Sequence, residues 1–313
     1  MADSRTDGDR VVIAVLTYKR PDDLRVLLPA LVAQASGLGG EIEILVVDND
    51  PQGSGEATVG LIGDPLIRYV HEPRPGISAA RNRALAESVD REVLLFIDDD
   101  ERPSETWLAT MLGLYRRERP AAVVGPVISE YAAEPERWIS AGRFFDRRRM
   151  ATGTAIEAAA TNNLLLDLAV VRRERLEFDE KFGLSGGSDT LFTRRLVASG
   201  ERMLWCDEAP VVDVVPVSRL TRRWVLQKAF RSGNSWARTS LEIAAGRRGR
   251  ARVRVECLVT GAVRLAGGAA RFVAGVLGAG VGQRARGLRT LARGAGLLAG
   301  AFGYVYLEYR RTS

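Results

Sequence analysis

Histidine and cysteine are scarce in this sequence, and their scarcity limits the kinds of metal site and catalytic site that the chain can form. The chain of 313 residues has one histidine, His71, and two cysteines, Cys206 and Cys257, which stand far apart. Such cysteines give neither a disulfide framework nor the paired spacing of a zinc site. No G-x-S-x-G motif accompanies His71, so we expect a structural role for it, or one at the rim of a site, and not a serine or cysteine hydrolase. A metal site in this chain must therefore use oxygen ligands.

The sequence also lacks an export signal and a long uninterrupted apolar run. Its first ten residues are polar and net acidic, without the basic and apolar regions of a signal peptide, so we expect the chain to stay in the cytoplasm. Beyond residue 246, Arg264, Arg271 and Arg284 interrupt every apolar run before it reaches the roughly 18 residues that a spanning helix needs. We therefore expect no spanning helix in this region.

The two ends of the chain differ in charge. Residues 1–215 hold 26 Lys and Arg against 36 Asp and Glu, a net charge of −10, whereas residues 216–313 hold 19 against 3, a net charge of +16. The 46% of apolar residues give enough material for one large core or two modest ones. The charge pattern predicts an acidic body with a basic tail that meets an anionic partner.

Apolar runs of strand length alternate with helical patterns in the first hundred residues. The runs are VVIAVLT at 11–17, IEILVV at 42–47, LIRYV at 66–70 and VLLFI at 93–97. Strands that are apolar on both faces and alternate with helices predict a parallel sheet covered on both sides. Ligands of such sheets bind beyond the carboxyl ends of the strands.

Polar residues stand at these carboxyl ends. Thr17 ends the first run, Asp48 and Asn49 follow the second, and four consecutive carboxylates follow the fourth, at 98–101. Adjacent carboxylates repel one another, so a cation that neutralises them makes the arrangement favourable. The alternative is a solvated acidic turn and a cap for a helix that begins at Ser104.

Five segments in this order resemble the family 2 glycosyltransferases, which are inverting nucleotide-sugar enzymes with the GT-A fold. They are VVIAVLTYKR, ILVVDN, PGISAARN and LLFIDDDERPSETWL within about the first 115 residues, and FGLSGGSDTLFTRRLVASG at 182–200. The segment DVVPVSRLTRRWVLQKAFRSGNS is similar to the succinoglycan-type exopolysaccharide branch.

The resemblance implies an α/β fold, with a mostly parallel sheet flanked by helices. It places a catalytic domain at 1–215, made of a nucleotide-sugar and metal half at 1–115 and an acceptor half at 116–215. A basic, mostly helical region follows at 216–313.

The resemblance also assigns the donor and a metal ion to the predicted sheet edge. Asp98 and Asp100 look like the carboxylates of the DxD motif, which hold Mn²⁺ or Mg²⁺ against the donor diphosphate. The donor would be a UDP-, GDP- or dTDP-sugar. For Arg81 the alternative is a surface arginine on an amphipathic helix. The residues expected to bind the donor are Thr17, Tyr18, Arg20, Asp48, Asn49, Arg74, Gly76, Arg81, Asp98 and Asp99.

Two further carboxylates carry expectations from the resemblance. Asp189 stands where the family has its catalytic base, which takes the proton of the attacking acceptor hydroxyl; the alternative is a helix N-cap after two glycines. Ser188 replaces a glutamate that is frequent in the family. No histidine is present at the position where many of these enzymes have a further metal ligand. Asp213 is therefore a candidate metal ligand, and otherwise a strand-end carboxylate that pairs with Arg219 or Arg222.

The basic tail shows helical spacing of its arginines. Arg264 and Arg271 are seven residues apart, and Arg286, Arg289 and Arg293 are spaced by three and four. Arginines on one face opposite Leu, Val and Ala are typical of an interfacial helix attracted to an anionic membrane surface. The alternative is a helical hairpin packed on the catalytic domain or on a second subunit, as a homodimer. We expect a cytoplasmic protein, peripheral on the inner face of the cell membrane.

The leading hypothesis is a metal-dependent inverting glycosyltransferase with a glycan or lipid-linked acceptor. The alternative is a nucleotidyltransferase-like protein, or a non-catalytic protein that binds nucleotide sugars at the same sheet edge. A nucleotidyltransferase should have a glycine-rich loop after the first strand, and TYKRP has no glycine. We expect no nucleic acid as a partner, because residues 246–300 contain one aromatic, Phe272.

Overall fold

The computed structural model describes residues 9–306 of the chain, and strands and helices alternate through the first two thirds of them. The strands are β1 Arg10–Thr17, β2 Glu41–Asp48, β3 Ile67–His71, β4 Val93–Asp98, β5 Glu101–Pro103, β6 Ala122–Val124, β7 Val127–Tyr131, β8 Asn163–Asp167, β9 Met203–Trp205 and β10 Val211–Val215. The helices are α1 Pro21–Ser36, α2 Glu56–Ile62, α3 Ile77–Ala86, α4 Trp107–Glu118, α5 Arg137–Gly142, α6 Leu168–Arg173, α7 Ser188–Ala198, α8 Arg222–Ile243, α9 Gly246–Ala274 and α10 Val281–Ala301.

The described residues form two compact units. The first unit consists of residues 9–128, 147–183 and 192–213, and the second of residues 129–146, 184–191 and 214–306. The predicted division into domains at 1–215 and 216–313 stays a prediction.

The first unit contains a seven-stranded sheet in the order β3-β2-β1-β4-β8-β6-β9. Strands β3, β2, β1 and β4 are parallel neighbours, whereas β8 is antiparallel to both β4 and β6. The expectation of a mostly parallel α/β sheet is therefore confirmed. The antiparallel β8 departs from a strict alternation of strand and helix, and it extends the sheet beyond β4.

The core lies on both faces of this sheet. Val11, Ile13 and Val15 of β1 pack in one buried cluster with the leucines of α1, whereas the intervening Val12 and Ala14 pack in a second cluster with residues of α3. Successive side chains of a strand point to opposite faces, so an uninterrupted apolar run is what a doubly covered strand requires. Burial of each such aliphatic side chain contributes about 1.5–3 kcal/mol.

Helix α1 begins directly after the turn that leaves β1. Pro21 occupies the first turn, where its missing N–H costs nothing, and Asp22 and Asp23 interact favourably with the helix dipole there. The leucines at 24, 27, 28 and 31 share one buried face. The turn 18–20 is therefore held between a buried strand and a buried helix.

A smaller sheet has the order β5-β10-β7. In its antiparallel β5–β10 pair, Asp213 is the register partner of Glu101. Because β5 begins three residues after the end of β4, this pairing places Asp213 beside the acidic turn 98–101 although the two are far apart in sequence.

The second unit contains α8, α9 and α10, so the expected C-terminal helical region is present. Glycines allow the backbones of these helices to approach closely. A Cβ at Gly268 of α9 would lie 2.9 Å from the carbonyl oxygen of Gly287 in α10, and one at Gly233 of α8 would lie 2.1 Å from that of Arg293. Small residues are therefore required where α10 packs against α9 and α8.

One helical segment, Gly246–Ala279, is long and apolar enough to cross a membrane by length and composition alone. The expectation that its arginines exclude a segment of this kind is wrong. Isolated arginines have long aliphatic stems that extend along an apolar helix, so they do not remove its apolar character.

Candidate active site at the carboxyl edge of the sheet

Three neighbouring strands bring the predicted site residues together at one edge. Thr17 at the end of β1 is the register partner of Asp48 at the end of β2, and Leu16 is the partner of Asp98 at the end of β4. In each strand the residues just before the last one are apolar and buried, and the last residue is polar. The edge is therefore a polar rim on a buried sheet, where ligands of such sheets bind.

Asp99 joins the turn after β4 to the turn after β1. The side chain is 7% exposed, and its two oxygens accept hydrogen bonds from Thr17 Oγ1 at 2.8 Å and from Arg20 Nη1 at 3.1 Å. Burial raises the pKa of Asp99 to about 7, against the opposing influence of Arg20 and Thr17. The Asp99 carboxylate, between Asp98 and Asp100, is thus directed toward the end of β1.

Arg20 also forms an ion pair with Asp100. Burial disfavours the guanidinium charge, but Asp99 and Asp100 together hold the pKa of Arg20 above its ordinary value. Arg20 is therefore a positive charge fixed between two of the four carboxylates. Its neighbour Tyr18 is exposed in the same turn, with the Lys19 ammonium 5.3 Å from its ring centroid.

Glu101, the last of the four carboxylates at 98–101, stabilises the turn through hydrogen bonds inside the protein. It is buried, it accepts a hydrogen bond from Asn162 Nδ2 at 2.7 Å, and its other oxygen accepts from the Asp98 backbone N–H at 3.3 Å. Burial and the charge of Asp98 raise the pKa of Glu101 well above its usual range.

Asp213 lies opposite Glu101 in the small sheet and forms an ion pair with Arg147, at 2.6 Å between Nη2 and Oδ2. Sequence reasoning did not name Arg147 as a partner. Arg222, one of the two partners considered for Asp213, forms an ion pair with Glu136.

Asp98 and Asp100 fit a divalent cation that arrives together with a phosphate ligand. Both are half-buried, and they lie two residues apart on one turn. Within residues 9–306 no group of three or more His, Cys, Asp or Glu side chains is arranged to hold a metal ion. Mg²⁺ is commonly held by one or two carboxylates, with substrate phosphates and water completing its shell. The residues therefore suit a shared metal site and not one made of protein ligands alone.

Asp48 organises the loop after β2 from inside. It has no exposed surface. Its Oδ1 accepts from the Asp50 N–H at 2.9 Å, and its Oδ2 accepts from the Gly55 N–H at 2.6 Å and from the Tyr69 hydroxyl at 3.1 Å. Burial and the Asp48 charge raise the pKa of Tyr69. The carboxylate is thus engaged within the protein, and it determines the path of residues 49–55.

Asn49 connects two loops at the same edge. Its Nδ2 donates to the backbone carbonyls of Glu72 at 2.7 Å and Arg74 at 2.6 Å, and its Oδ1 accepts from the Gly76 N–H at 3.2 Å. Gly76 has φ of 113°, which a residue with a Cβ rarely adopts. Asn49 and Gly76 together set the loop that carries Arg74, whose side chain is 60% exposed and pairs with Glu72 and Glu180.

His71 ends β3 near this loop, and its Nε2 lies 2.7 Å from the carbonyl oxygen of Asp50. This contact with the backbone agrees with the structural role expected for the histidine.

Helix α3 lies against the segment that precedes α7. Arg81 is 8% exposed and its guanidinium lies 5.5 Å from the ring centroid of Phe178, so the surface-arginine alternative is wrong. Asn82 exchanges two hydrogen bonds with the backbone of Phe178, and Ser78 Oγ donates to the Asp179 carbonyl at 3.1 Å. Sequence reasoning missed Ser78 and Asn82. Their spacing of four residues on one helix face was the available signal.

Asp189 belongs to the second unit and lies in the first turn of α7. Its Oδ1 accepts a hydrogen bond from the Thr190 backbone N–H at 2.7 Å. Gly187, just before the helix, has φ of 96°, and a Cβ there would lie 3.2 Å from Ser235 Cβ. Asp189 therefore follows a turn that requires glycine. Its role as a base stays a prediction.

Comparison with known proteins adds independent information. Residues 12–175 match the family described as "Glycosyl transferase family 2". The chain is 34% identical over 239 residues to "Succinoglycan biosynthesis protein ExoM" of Rhizobium meliloti (strain 1021), a match that covers 75% of this chain and 77% of that protein. The resemblance stated from the sequence motifs is confirmed.

Two solved structures share the fold of this chain. One is the mannosyltransferase PcManGT from Pyrobaculum calidifontis in complex with GDP-Man and Mn²⁺, at a TM-score of 0.60 and 17% identity, covering 95% of this chain and 87% of that one. Another is residues 1–349 of S. aureus TarS in complex with UDP, at a TM-score of 0.53 and 14% identity, covering 91% and 90%. The expected GT-A-like α/β fold is confirmed.

Proposed function

This chain belongs to glycosyl transferase family 2, and from that premise we propose that it is a metal-dependent, inverting enzyme. It moves a sugar from a nucleotide-sugar donor to a hydroxyl group of a glycan or lipid-linked acceptor in polysaccharide biosynthesis. The observation that carries the proposal is the convergence of Asp98, Asp100 and Arg20 at the carboxyl edge of the sheet. Carboxylates and a guanidinium in one turn suit a diphosphate together with its cation.

The donor and its cation occupy the turn after β4 in this proposal. Asp98 and Asp100 would hold a divalent cation, which would neutralise charge on the leaving nucleoside diphosphate. Asp99 does not compete for the cation, because Thr17 and Arg20 hold its two oxygens. Arg20, held by Asp99 and Asp100, offers a positive charge to the diphosphate in the same turn. The described relatives support this assignment, since PcManGT was solved with GDP-Man and Mn²⁺.

The nucleotide lies against the loops that Asp48 and Asn49 hold. Because Asp48 is fully buried, we propose that it acts on the nucleotide through the loop 49–55 and not by direct contact. Exposed Tyr18 and Arg74 offer an aromatic face and a positive charge at the rim of the same site. Arg81 keeps α3 against Phe178, so we propose that it positions α3 beside the donor and does not contact the donor itself.

Asp189 is the general base of the proposed reaction. It accepts the proton of the acceptor hydroxyl while that oxygen bonds to the anomeric carbon, and the bond from this carbon to the nucleoside diphosphate breaks on the opposite side. One carboxylate suffices for an inverting displacement. Asp213 supports the metal site from the small sheet as a ligand or as a neighbour of the acidic turn, with Arg147 balancing its charge.

We place the enzyme in the cytoplasm, peripheral on the inner face of the cell membrane. The outward face of α9 presents small apolar side chains over about 27 Å, namely Val255, Val259, Ala262, Val263, Ala266, Ala270 and Val273, all exposed. Arg248, Arg250 and Arg252 lie at the amino-terminal end of the same helix. An apolar face beside arginines suits the boundary between acyl chains and anionic headgroups.

The experiment that tests the function uses a panel of UDP-, GDP- and dTDP-sugars. We expect one donor to bind and to be hydrolysed or transferred only with Mn²⁺ or Mg²⁺, and Asp98→Asn and Asp100→Asn to lose that binding. Asp90→Asn is the matched control, because Asp90 is an exposed carboxylate of the same unit. Donor binding undiminished in both site variants would contradict the metal assignment, and binding without any transfer would favour the non-catalytic alternative.

A further inference from the structure

Several arginines of the second unit donate to carbonyl groups at the carboxyl ends of helical segments. Arg254 Nε donates to the Ala301 carbonyl at 3.0 Å, and Arg284 Nε to the Gly275 carbonyl at 2.8 Å. Arg289 Nη1 donates to the Arg143 carbonyl, just after α5, at 2.9 Å. These arginines offset the negative end of a helix dipole, which accounts for part of the basic charge of the unit.

Arg264 and Arg293 have no such acceptor. Both side chains are half-buried. Within residues 9–306 the structure gives neither of them a hydrogen bond or an ion pair with an acid, and Arg264 Nε is buried without a partner. A buried charge is costly unless a counter-charge or hydrogen-bond acceptors compensate it. Their guanidinium groups are therefore available to an anion, which the described part of the chain does not supply.

The packing of α9 on α10 brings the two arginines to one place. A Cβ at Gly294, the residue after Arg293, would lie only 3.0 Å from Arg264 Cβ. Arg289 lies one helical turn before Arg293, on the same side of α10. The charges of Arg264 and Arg289 add to the effect of burial in lowering the pKa of Arg293. Three guanidinium groups thus stand close together although like charges repel.

We propose that Arg264 and Arg293 form a phosphate-binding site between α9 and α10, with the charge of Arg289 beside it. Guanidinium groups bind phosphate oxygens through paired, charge-assisted hydrogen bonds, and a phosphate between them removes their mutual repulsion. The phosphate group belongs to a lipid headgroup or to a soluble phosphate compound. The site consists only of residues of the second unit, so it stands independently of the donor site at the sheet edge.

Calorimetric titration of the full-length protein with inorganic phosphate, in EDTA and at constant ionic strength set with chloride, tests the site. Vesicles of phosphatidic acid, compared with vesicles of phosphatidylcholine, form the lipid arm. We expect Arg293→Gln and, separately, Arg264→Gln to weaken binding by about tenfold or more, the loss of a charge-assisted hydrogen bond. Arg137→Gln, a change at an exposed arginine of α5 in the second unit, serves as control and binds as the wild type does.

A thermal melt separates a binding role from a structural one. Without phosphate, we expect Arg293→Gln to melt at or above the wild-type temperature, because it removes an uncompensated buried charge. Phosphate should raise the melting temperature of the wild type and not that of the variant.

Saturable binding of free phosphate identifies a soluble ligand, and binding confined to phosphatidic acid vesicles identifies a lipid headgroup. Equal binding by wild type and Arg293→Gln, or no binding in either arm, overturns the proposal. Because the readout is binding without a divalent cation, failure of the glycosyltransferase proposal would leave these outcomes unchanged.

Discussion

Replacing Asp48 by Asn tests whether this carboxylate holds the loop after β2. Oδ2 accepts from both the Gly55 N–H and the Tyr69 hydroxyl, and Oδ1 accepts from the Asp50 N–H. An amide has one oxygen, so in Asp48→Asn its NH₂ group faces at least one buried donor. Each donor left unpaired costs about 1–3 kcal/mol. With one or two donors affected, we expect the free energy of unfolding to fall by about 1–6 kcal/mol.

Urea unfolding followed by circular dichroism measures this change. A loss of 3 kcal/mol corresponds to a midpoint lower by about 1 M, for a slope near 3 kcal/mol/M. Tyr69→Phe removes only one of the donors, and we expect a loss of about 1 kcal/mol. Asp90→Asn, a change at an exposed carboxylate, serves as control and should alter stability by less than about 0.5 kcal/mol.

An unchanged midpoint in Asp48→Asn would refute the reasoning, because it would show that the three hydrogen bonds carry no net stability. A lower midpoint with unchanged donor affinity would separate the stability of the loop from its proposed role beside the nucleotide.

Three further predictions follow from single positions. Asp189→Asn should bind donor and metal as the wild type does but lose transfer by about 10²–10⁴-fold, and near-normal turnover would identify another base. Gly268→Ala should destabilise the protein by about 1–3 kcal/mol, because its Cβ would lie 2.8 Å from Leu291 N. A Cβ at Gly267 meets nothing within 4 Å, so Gly267→Ala should be neutral or stabilising in thermal melts. Val259→Glu, on the apolar face of α9, should reduce sedimentation with anionic vesicles, whereas Thr260→Glu, beside that face, should reduce it less. Equal sedimentation of the two variants would contradict the proposal that this face contacts the membrane.

The helical C-terminal region was predictable only in outline. Arginine spacing indicated helices, and they are present, but the sequence pattern did not distinguish arginines that donate to helix ends from arginines without an acceptor. Arg254 and Arg264 are ten residues apart on one helix and differ in this respect. The difference arises where α10 crosses α9, and contacts between helices are absent from a pattern along one helix.

The candidate site was also predictable only in part. The apolar runs that end at Thr17, Asp48 and Asp98 were sufficient to predict where the strands end and that their polar residues share one edge, because parallel strands align their carboxyl ends. The direction of each carboxylate was not predictable. Asp48 is directed into its own loop and Asp99 toward Thr17 and Arg20.

The sequence alone thus determined the class of fold, the sheet edge where the candidate site residues gather, and the oxygen ligands available there, since these depend on local apolar periodicity and on residue types. Only the tertiary structure decided the partners: Asp213 with Arg147, Glu101 with Asn162, and Arg264 beside Arg293. Each of these pairs is separated by 29 to 66 residues in the sequence, and such contacts follow from strand register and helix packing, which no local pattern encodes.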